Sequence, residues 1–364
     1  MDWVGRGNSR MKNVLVTGGA GFIGSNFIHH LLARTPVQRV VNLDALTYAG
    51  TPANLAEVQN DTRYRFVHAD ICDGEKVQAL LREEHVDTIV HFAADTHVDR
   101  SIRDPETFYQ TNVLGTLRLL EAARAVWAGD YTGKRFHHIS TDEVYGTLEP
   151  GDPPFSESTP YIPRSPYAAS KAAADHLVRS FFHTYGLPVT LSNCSNNYGP
   201  RQYPEKFIPL VIQRCLRGER IPIYGDGRQI RDWIYVEDHC CGILRILQDG
   251  RPGETYHLGG GNQPTNLEIA NLICDLMDRK RPQSAQVPHR RLLQFITDRP
   301  GHDRRYAMDC TKIERELGWT PQIHLAEGLE QTVDWYLDHP EWLEAVIQAE
   351  PYRAWMHEQY PGEG

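Results

Sequence analysis

The sequence predicts an α/β fold, a doubly wound parallel sheet with a smaller α/β substrate-binding lobe, and three observations carry that prediction. Apolar strand-like runs alternate with amphipathic helical patterns from about residue 13 to residue 191. The strand runs are continuous rather than alternating, which marks a parallel sheet covered on both faces. The first of them, Val14-Leu15-Val16, passes through Thr17 into Gly18-Gly19-Ala20-Gly21-Phe22-Ile23-Gly24 and then into a helix carrying Phe27, Ile28, Leu31 and Leu32. Gly19, Gly21 and Gly24 have G-x-G-x-x-G spacing. The first is expected to permit the turn, the second to admit a pyrophosphate at the helix N-terminus, and the third to let helix and strand pack closely.

The next elements follow in order. Val40-Val41-Asn42-Leu43-Asp44 is a second strand ending in a carboxylate twenty residues after Gly24. An acid there accepts both ribose hydroxyls of an adenosine and repels a 2′-phosphate, so the expected cofactor is NAD rather than NADP. Arg63 to His68 is a third strand leading to Asp70-Ile71, a polar and apolar pair suited to an adenine edge. A helix with Val77, Leu80 and Leu81 follows. The strand Thr88 to Phe92 then opens into Ala93-Ala94-Asp95, where two small residues leave room beside the backbone. A helix spans about 106–125, a strand 135–139, a helix 166–185 and a strand 188–191. Ligands of such sheets sit beyond strand C-termini, so the chemistry is expected there.

From Ser195 the rhythm changes. Asn196 to Pro200 reads as a loop, 207–216 as a helix, 221–224 as a short strand before Gly225-Asp226-Gly227, and 267–277 as a helix before a charged linker. The segment 235–260, helix then strand, is expected to return to the first domain. Leu325, Leu329, Val333 and Leu337 make one more amphipathic helix. The predicted organisation is a flexible extension over 1–11, a dinucleotide-binding domain over 12–193 and a second lobe over 194–364.

Bulk properties narrow the classes. The 364 residues carry a formal charge of -9 without a basic block, which argues against nucleic acid and leaves any anion to local arginines. Seven cysteines without metal spacing point to reduced thiols, a cytoplasmic setting and no metal site. No apolar stretch has membrane length.

The candidate chemistry lies on one helix and one strand end. Tyr167 and Lys171 are four apart on one helical face, and a nearby ammonium is expected to lower the phenol pKa and make it a base for a hydroxyl proton. His138-Ile139-Ser140-Thr141 supplies hydroxyls at a strand end. Asp142 and Glu143 follow at once. Alcohol oxidation needs no such pair, but two neighbouring carboxylates part their pKa values into an acid and a base, as elimination of water beside a new ketone requires.

The ordered stretches Thr17 to Gly24, Leu46 to Gly50, His68 to Ile71, His97 to Ile102, His138 to Gly146, Ser165 to Lys171, Asn193 to Pro200, Pro204 to Pro209, Ile230 to Asp238 and Asp298 to Arg305 resemble the dTDP-glucose 4,6-dehydratase family. That family stands among the extended short-chain dehydrogenases/reductases, with a Rossmann-type fold. The likeness runs from residue 12 to the C-terminus, with Asp95-Thr96 standing where the family commonly has Glu-Ser. GDP-mannose 4,6-dehydratases are the near relatives, but they use NADP. The resemblance implies Thr141, Asp142, Glu143, Tyr167 and Lys171 as the catalytic set. It implies cofactor contacts from Phe22, Ile23, Asp44, Ala45, Leu46, Thr47, Asp70, Ile71, Phe92, Ala93, Ala94, Asp95, Thr111 and Asn197, with Tyr167 and Lys171. For a nucleotide-diphosphate sugar it implies Thr96, Thr141, Asn196, Lys206 and Phe207. On the second lobe it adds Pro222, Ile223, Tyr224, Arg231, Asn266, Asp298, Arg299, Pro300, Gly301 and His302. It further implies one tightly held, regenerated NAD per subunit and a homodimer paired through a four-helix bundle. Alternatives left open are a UDP-glucose 4,6-dehydratase, a nucleotide-sugar 4-epimerase, which has no task for two acids, and a cofactor-holding protein without activity.

Overall fold

The computed structural model describes residues 11–360. Residues 1–10 of the expected extension lie outside them, and its last residue, Met11, is instead buried at 6% exposure in the apolar cluster around Val14 and Phe27.

Among the described residues eleven strands are formed: β1 (Asn13–Thr17), β2 (Arg39–Asp44), β3 (Tyr64–His68), β4 (Thr88–His91), β5 (Arg135–Thr141), β6 (Val189–Cys194), β7 (Asn196–Tyr198), β8 (Ile221–Tyr224), β9 (Trp233–Tyr235), β10 (Thr255–Leu258) and β11 (Leu293–Ile296). Seven make one parallel sheet in the order β10-β6-β5-β4-β1-β2-β3. The order reverses between β1 and β4, and the crevice at that point is where such a sheet receives a dinucleotide. One face is closed by Phe27, Ile28, Ile243, Ile246 and Ile313, and the other by Leu80, Leu119, Leu120, Val178 and Phe181. β10 brings the segment after Val236 back to this sheet, and the helix Thr311–Leu317 joins the same apolar cluster.

The second lobe has two parallel pairs, β11 with β8 and β7 with β9, under helices Phe207–Arg217, Asn266–Lys280 and Leu325–Asp338. Asn196 to Tyr198 is therefore a strand, not the loop expected from its turn-forming residues. Its order comes from a distant partner, Trp233 to Tyr235, and from Tyr198, which has no exposed surface. The helix expected over 106–125 is also divided. Pro105–Tyr109 and Thr116–Trp127 are separated by a wide π turn over Gln110–Gly115. At its centre the Asn112 side chain accepts from the Asp95 N–H at 2.9 Å and donates to the Asp95 carbonyl at 3.0 Å and Ser170 Oγ at 2.9 Å. Wide turns of this kind recur at functional sites, and this one ties the end of β4 to the helix Pro166–Tyr185.

Candidate active site

A large cavity opens beyond the C-terminal ends of β1, β2, β4, β5 and β6. It is lined by Gly18, Gly21 to Gly24, Asp44, Ala45, Thr47, Asp70, Ile71, Phe92 to Thr96, Thr111, Thr141 to Glu143, Tyr167, Lys171, Asn196, Asn197 and Lys206. The structure thus brings together residues spread over nearly two hundred positions.

The glycine turn works differently from its spacing. The left-handed residue is Gly18 (φ +69), not Gly19, and a Cβ there would stand 2.6 Å from the Ala93 backbone nitrogen. Gly19 is needed for room beside Asn42, and Gly24 passes so close to the Gly18 carbonyl that a Cβ would lie 2.3 Å from it. Gly21 occupies the helix cap position, and the first helical residues, Phe22 to Gly24, line the cavity, where a helix N-terminus carries free N–H groups. Asp44, 7% exposed, accepts from the Ala20 N–H through Oδ2 and from the Leu46 N–H through Oδ1, both at 2.8 Å. Each oxygen keeps a lone pair, so a diol fits this carboxylate, and the glycine cradle fits a pyrophosphate. Leu46 does not line the cavity; at φ +51 it orients Asp44 by its backbone. Asn197 holds its place through His239 Nδ1 (2.7 Å) and the Ser195 carbonyl (3.0 Å).

At the inner end, Thr141 terminates β5 and caps the short turn Asp142–Tyr145, accepting from the Glu143 N–H at 3.2 Å. Its hydroxyl donates to Asp142 Oδ1 at 3.3 Å and stands near enough to the Tyr167 phenol to act on its titration. Asp142 Oδ2, Ser195 Oγ and Asn196 Oδ1 are buried without partners, three polar atoms ready for a hydroxylated ligand.

Both carboxyls are raised, Asp142 further than Glu143. Burial, then the charge of Glu143, pushes Asp142 well above the usual carboxylate range. Glu143 is raised less; burial raises it, while Arg299, Arg231 and Lys206 pull it back. The expected lowering of the Tyr167 phenol does not occur. Burial, followed by the Glu143 charge, drives it well above 10, and the Lys171 ammonium is turned to the Ile139 carbonyl at 2.8 Å.

Of the second-lobe residues, Asn196, Asn197 and Lys206 line the cavity and the others lie outside its lining. Tyr224, Asp298, Arg299 and His302 cluster: His302 Nδ1 is 2.6 Å from Asp298 Oδ1, its ring meets Tyr224 edge-on, and Arg299 pairs with Asp99 at 3.2 Å. Pro300 and Gly301 form their exposed turn. Pro222 and Ile223 lie in β8, and Asn266 starts a helix behind Gln229, which donates to Asp298. Phe207 stacks toward Trp233. Arg231 makes no ion pair with Asp232 or Glu237. It is 5% exposed, donates to the Ile230 and Asp303 carbonyls and lies over the Tyr306 ring at 4.2 Å. Lys206 donates to the Thr96 carbonyl at 3.2 Å.

Sequence reasoning missed Tyr48, Ser195, Gln202 and Tyr203, which also line the cavity. Ser195 had a signal, since it follows β6 directly. Tyr48 stood within the recognised stretch Leu46 to Gly50; only the fold shows its ring beneath the Arg100 guanidinium at 4.0 Å.

A reversing parallel sheet, a glycine turn with its acid, and a tyrosine–lysine pair define the extended short-chain dehydrogenase/reductase class. Within it, a family model described as GDP-mannose 4,6 dehydratase matches residues 15–332, and the chain belongs to that family. A dTDP-glucose 4,6-dehydratase of Xanthomonas campestris pv. campestris (strain B100) is 53% identical over 342 residues, 93% of this chain and 96% of its own. A crystal structure of a dTDP-glucose 4,6-dehydratase from Streptomyces venezuelae with NAD bound has a TM-score of 0.84 at 47% identity, covering 92% of this chain and 99% of that one. Another from Bacillus anthracis str. Ames, in complex with NAD, has a TM-score of 0.82 at 42% identity, with the same coverage.

Proposed function

We propose that this chain converts dTDP-glucose to dTDP-4-dehydro-6-deoxy-glucose and water. The observation that carries the reading is the divided acid pair, Asp142 and Glu143, placed beside Tyr167 at the end of β5. An epimerase has no use for it. Bound NAD supplies reversible hydride chemistry between C4 and C6, is held tightly by each subunit and is regenerated in every turnover. Tyr167 takes the C4 hydroxyl proton while Thr141 orients that hydroxyl. The resulting ketone acidifies C5–H, Glu143 removes and later returns that proton, and Asp142 protonates the departing C6 hydroxyl.

Lys206 and Arg299 supply positive charge for the diphosphate, with Arg231 acting from behind on Glu143. Those charges are shared by every nucleotide-diphosphate sugar, and a thymine methyl against carbon gains only about 1 kcal/mol, roughly tenfold. The family relatives therefore support the choice of dTDP. Incubation with dTDP-glucose, UDP-glucose and GDP-mannose, followed by mass detection of water loss, tests it. Loss of water from dTDP-glucose at the highest specificity constant is expected; an isomass epimer or a preference for GDP-mannose refutes it.

We also propose a homodimer through the segments 105–127 and 166–185. Tyr109, Leu114 and Tyr185 remain 40–44% exposed there, and Val113, Leu117, Leu177 and Phe182 are only partly covered. Light scattering at micromolar concentration that gave monomer mass would remove this reading. All seven cysteines are free, which supports a reducing, cytoplasmic setting.

A further inference from the structure

Behind the tyrosine–lysine pair lies a fully buried carboxylate that the proposed chemistry does not use. Asp175 sits one helical turn beyond Lys171 and two beyond Tyr167, on the same face of the helix Pro166–Tyr185, with no exposed surface. Its Oδ2 accepts from Ser140 Oγ and from the Tyr161 hydroxyl, both at 2.8 Å. Its Oδ1 stands 3.2 Å from His138 Nε2, and the same imidazole nitrogen is 3.4 Å from Lys171 Nζ. One ring nitrogen therefore separates the ammonium from the carboxylate.

We propose that Asp175 is the positioning residue of the tyrosine–lysine pair: its buried charge, acting past His138, keeps Lys171 an ammonium docked on the Ile139 carbonyl at the end of β5. The surrounding groups leave no other candidate for that charge. From β5 come His138 and Ser140, from β4 His91, and from β6 Asn193 and Cys194; the loop before the helix gives Tyr161. His91 and His138 are kept neutral, chiefly by burial, and burial pushes the Cys194 thiol up to about 12. Arg179, which donates to Tyr161 at 2.8 Å, is a cation. Burial would raise Asp175, but His138, Lys171 and Arg179 together take it below the usual carboxylate value, so it is ionised at neutral pH. Lys171 is lowered by burial to about 8, with Asp175 the first influence opposing that fall. Hydrogen bonds from Ser140 and Tyr161 favour the ionised form.

Removing this charge must lower the lysine pKa, because the ammonium loses its attraction while its burial stays. For two charges this close in a protein interior, the shift is about one to two pH units. The test is a titration of the holoenzyme labelled with ¹³Cε-lysine, the Lys171 resonance being identified by its loss in K171R. In the parent it is expected to titrate near 8; in D175N it should move down by about one to two units, and in D175E by less than about half a unit. The alkaline limb of the kcat profile should move with it. A Lys171 titration that D175N leaves in place, or activity that falls equally at every pH, overturns the proposal. Should D175N not fold, the double variant S140A/Y161F removes the two short hydrogen bonds to Oδ2 and leaves only that from Asn193 at 3.5 Å; it favours neutral Asp175 and should shift Lys171 the same way, and an unmoved resonance there is equally fatal. The inference rests on the reading that Lys171 belongs, with Tyr167, to the catalytic set of the proposed reaction. The titration needs no turnover, so its failure leaves the dehydratase reading intact, and failure of dTDP-glucose to lose water leaves the titration readable.

Discussion

Replacing Asp142 by asparagine should remove catalysis without removing stability. The side chain is 2% exposed, accepts one hydrogen bond from Thr141 and leaves Oδ2 without a partner. Burial and Glu143 raise its pKa well above the usual value, so the folded protein holds this proton to a higher pH than the unfolded chain, which ionises it near 4. An acid with a raised folded pKa contributes its stability below the unfolded pKa and loses it as pH rises, so at pH 7 Asp142 costs folding free energy. An amide of the same shape carries no such cost, and D142N should unfold at the same urea concentration as the parent or a higher one. The amide cannot release a proton to the departing hydroxyl. Loss of a positioned general acid slows its step by about 10² to 10⁴, or roughly 3 to 5 kcal/mol of barrier. Oxidation at C4, which relies on Tyr167 and Thr141, continues, so reduced cofactor should accumulate toward about one equivalent per subunit while water loss slows. Absorbance of reduced cofactor and mass detection of product, read on one sample, check both halves. Dehydration at the parent rate would refute the assignment of Asp142, and slow dehydration without reduced cofactor would refute the order of steps.

Gly18→Ala forces a left-handed alanine, about 1–2 kcal/mol by itself, and sets its Cβ against the Ala93 backbone, which must move. A lower melting temperature and at least about tenfold weaker NAD binding by calorimetry are expected; binding within about threefold of the parent would contradict the cradle. Asp44→Asn keeps the shape and removes the negative charge, so the ratio of NAD to NADP affinity should fall about tenfold or more, and an unchanged ratio would discount Asp44 as the discriminator. Glu143 is raised by burial, so activity should be lost as pH falls while still above the ordinary carboxylate pKa; Arg299→Met, which removes the largest influence opposing that rise, should move this acid limb to higher pH. A limb that stays in place would exclude Glu143 as its origin.

The parts of the site that could be read from the sequence are those whose geometry is local. Asp142 and Glu143 follow Thr141 without an intervening residue, and Tyr167 and Lys171 share a face by helical spacing alone, so a strand end and one helix place these five groups. The glycine turn was read correctly as a turn, yet its left-handed residue was displaced by one, because Gly18 is fixed by contact with Ala93 just beyond β4, seventy-five positions away. The strand Asn196–Tyr198 and the wide turn at Gln110–Gly115 were hidden for the same reason: Trp233 to Tyr235 orders the first, and Asp95 and Ser170 order the second. The pKa of Tyr167 shows the limit most sharply. Spacing put an ammonium four residues from the phenol, and the expected effect was a lowering. The fold sends that ammonium to the Ile139 carbonyl beside His138, and brings Glu143 to act on the phenol instead. Helical spacing fixes which side chains share a face; which charge then acts on which proton depends on the strand beneath, and here that strand is β5, the one that also carries the acid pair.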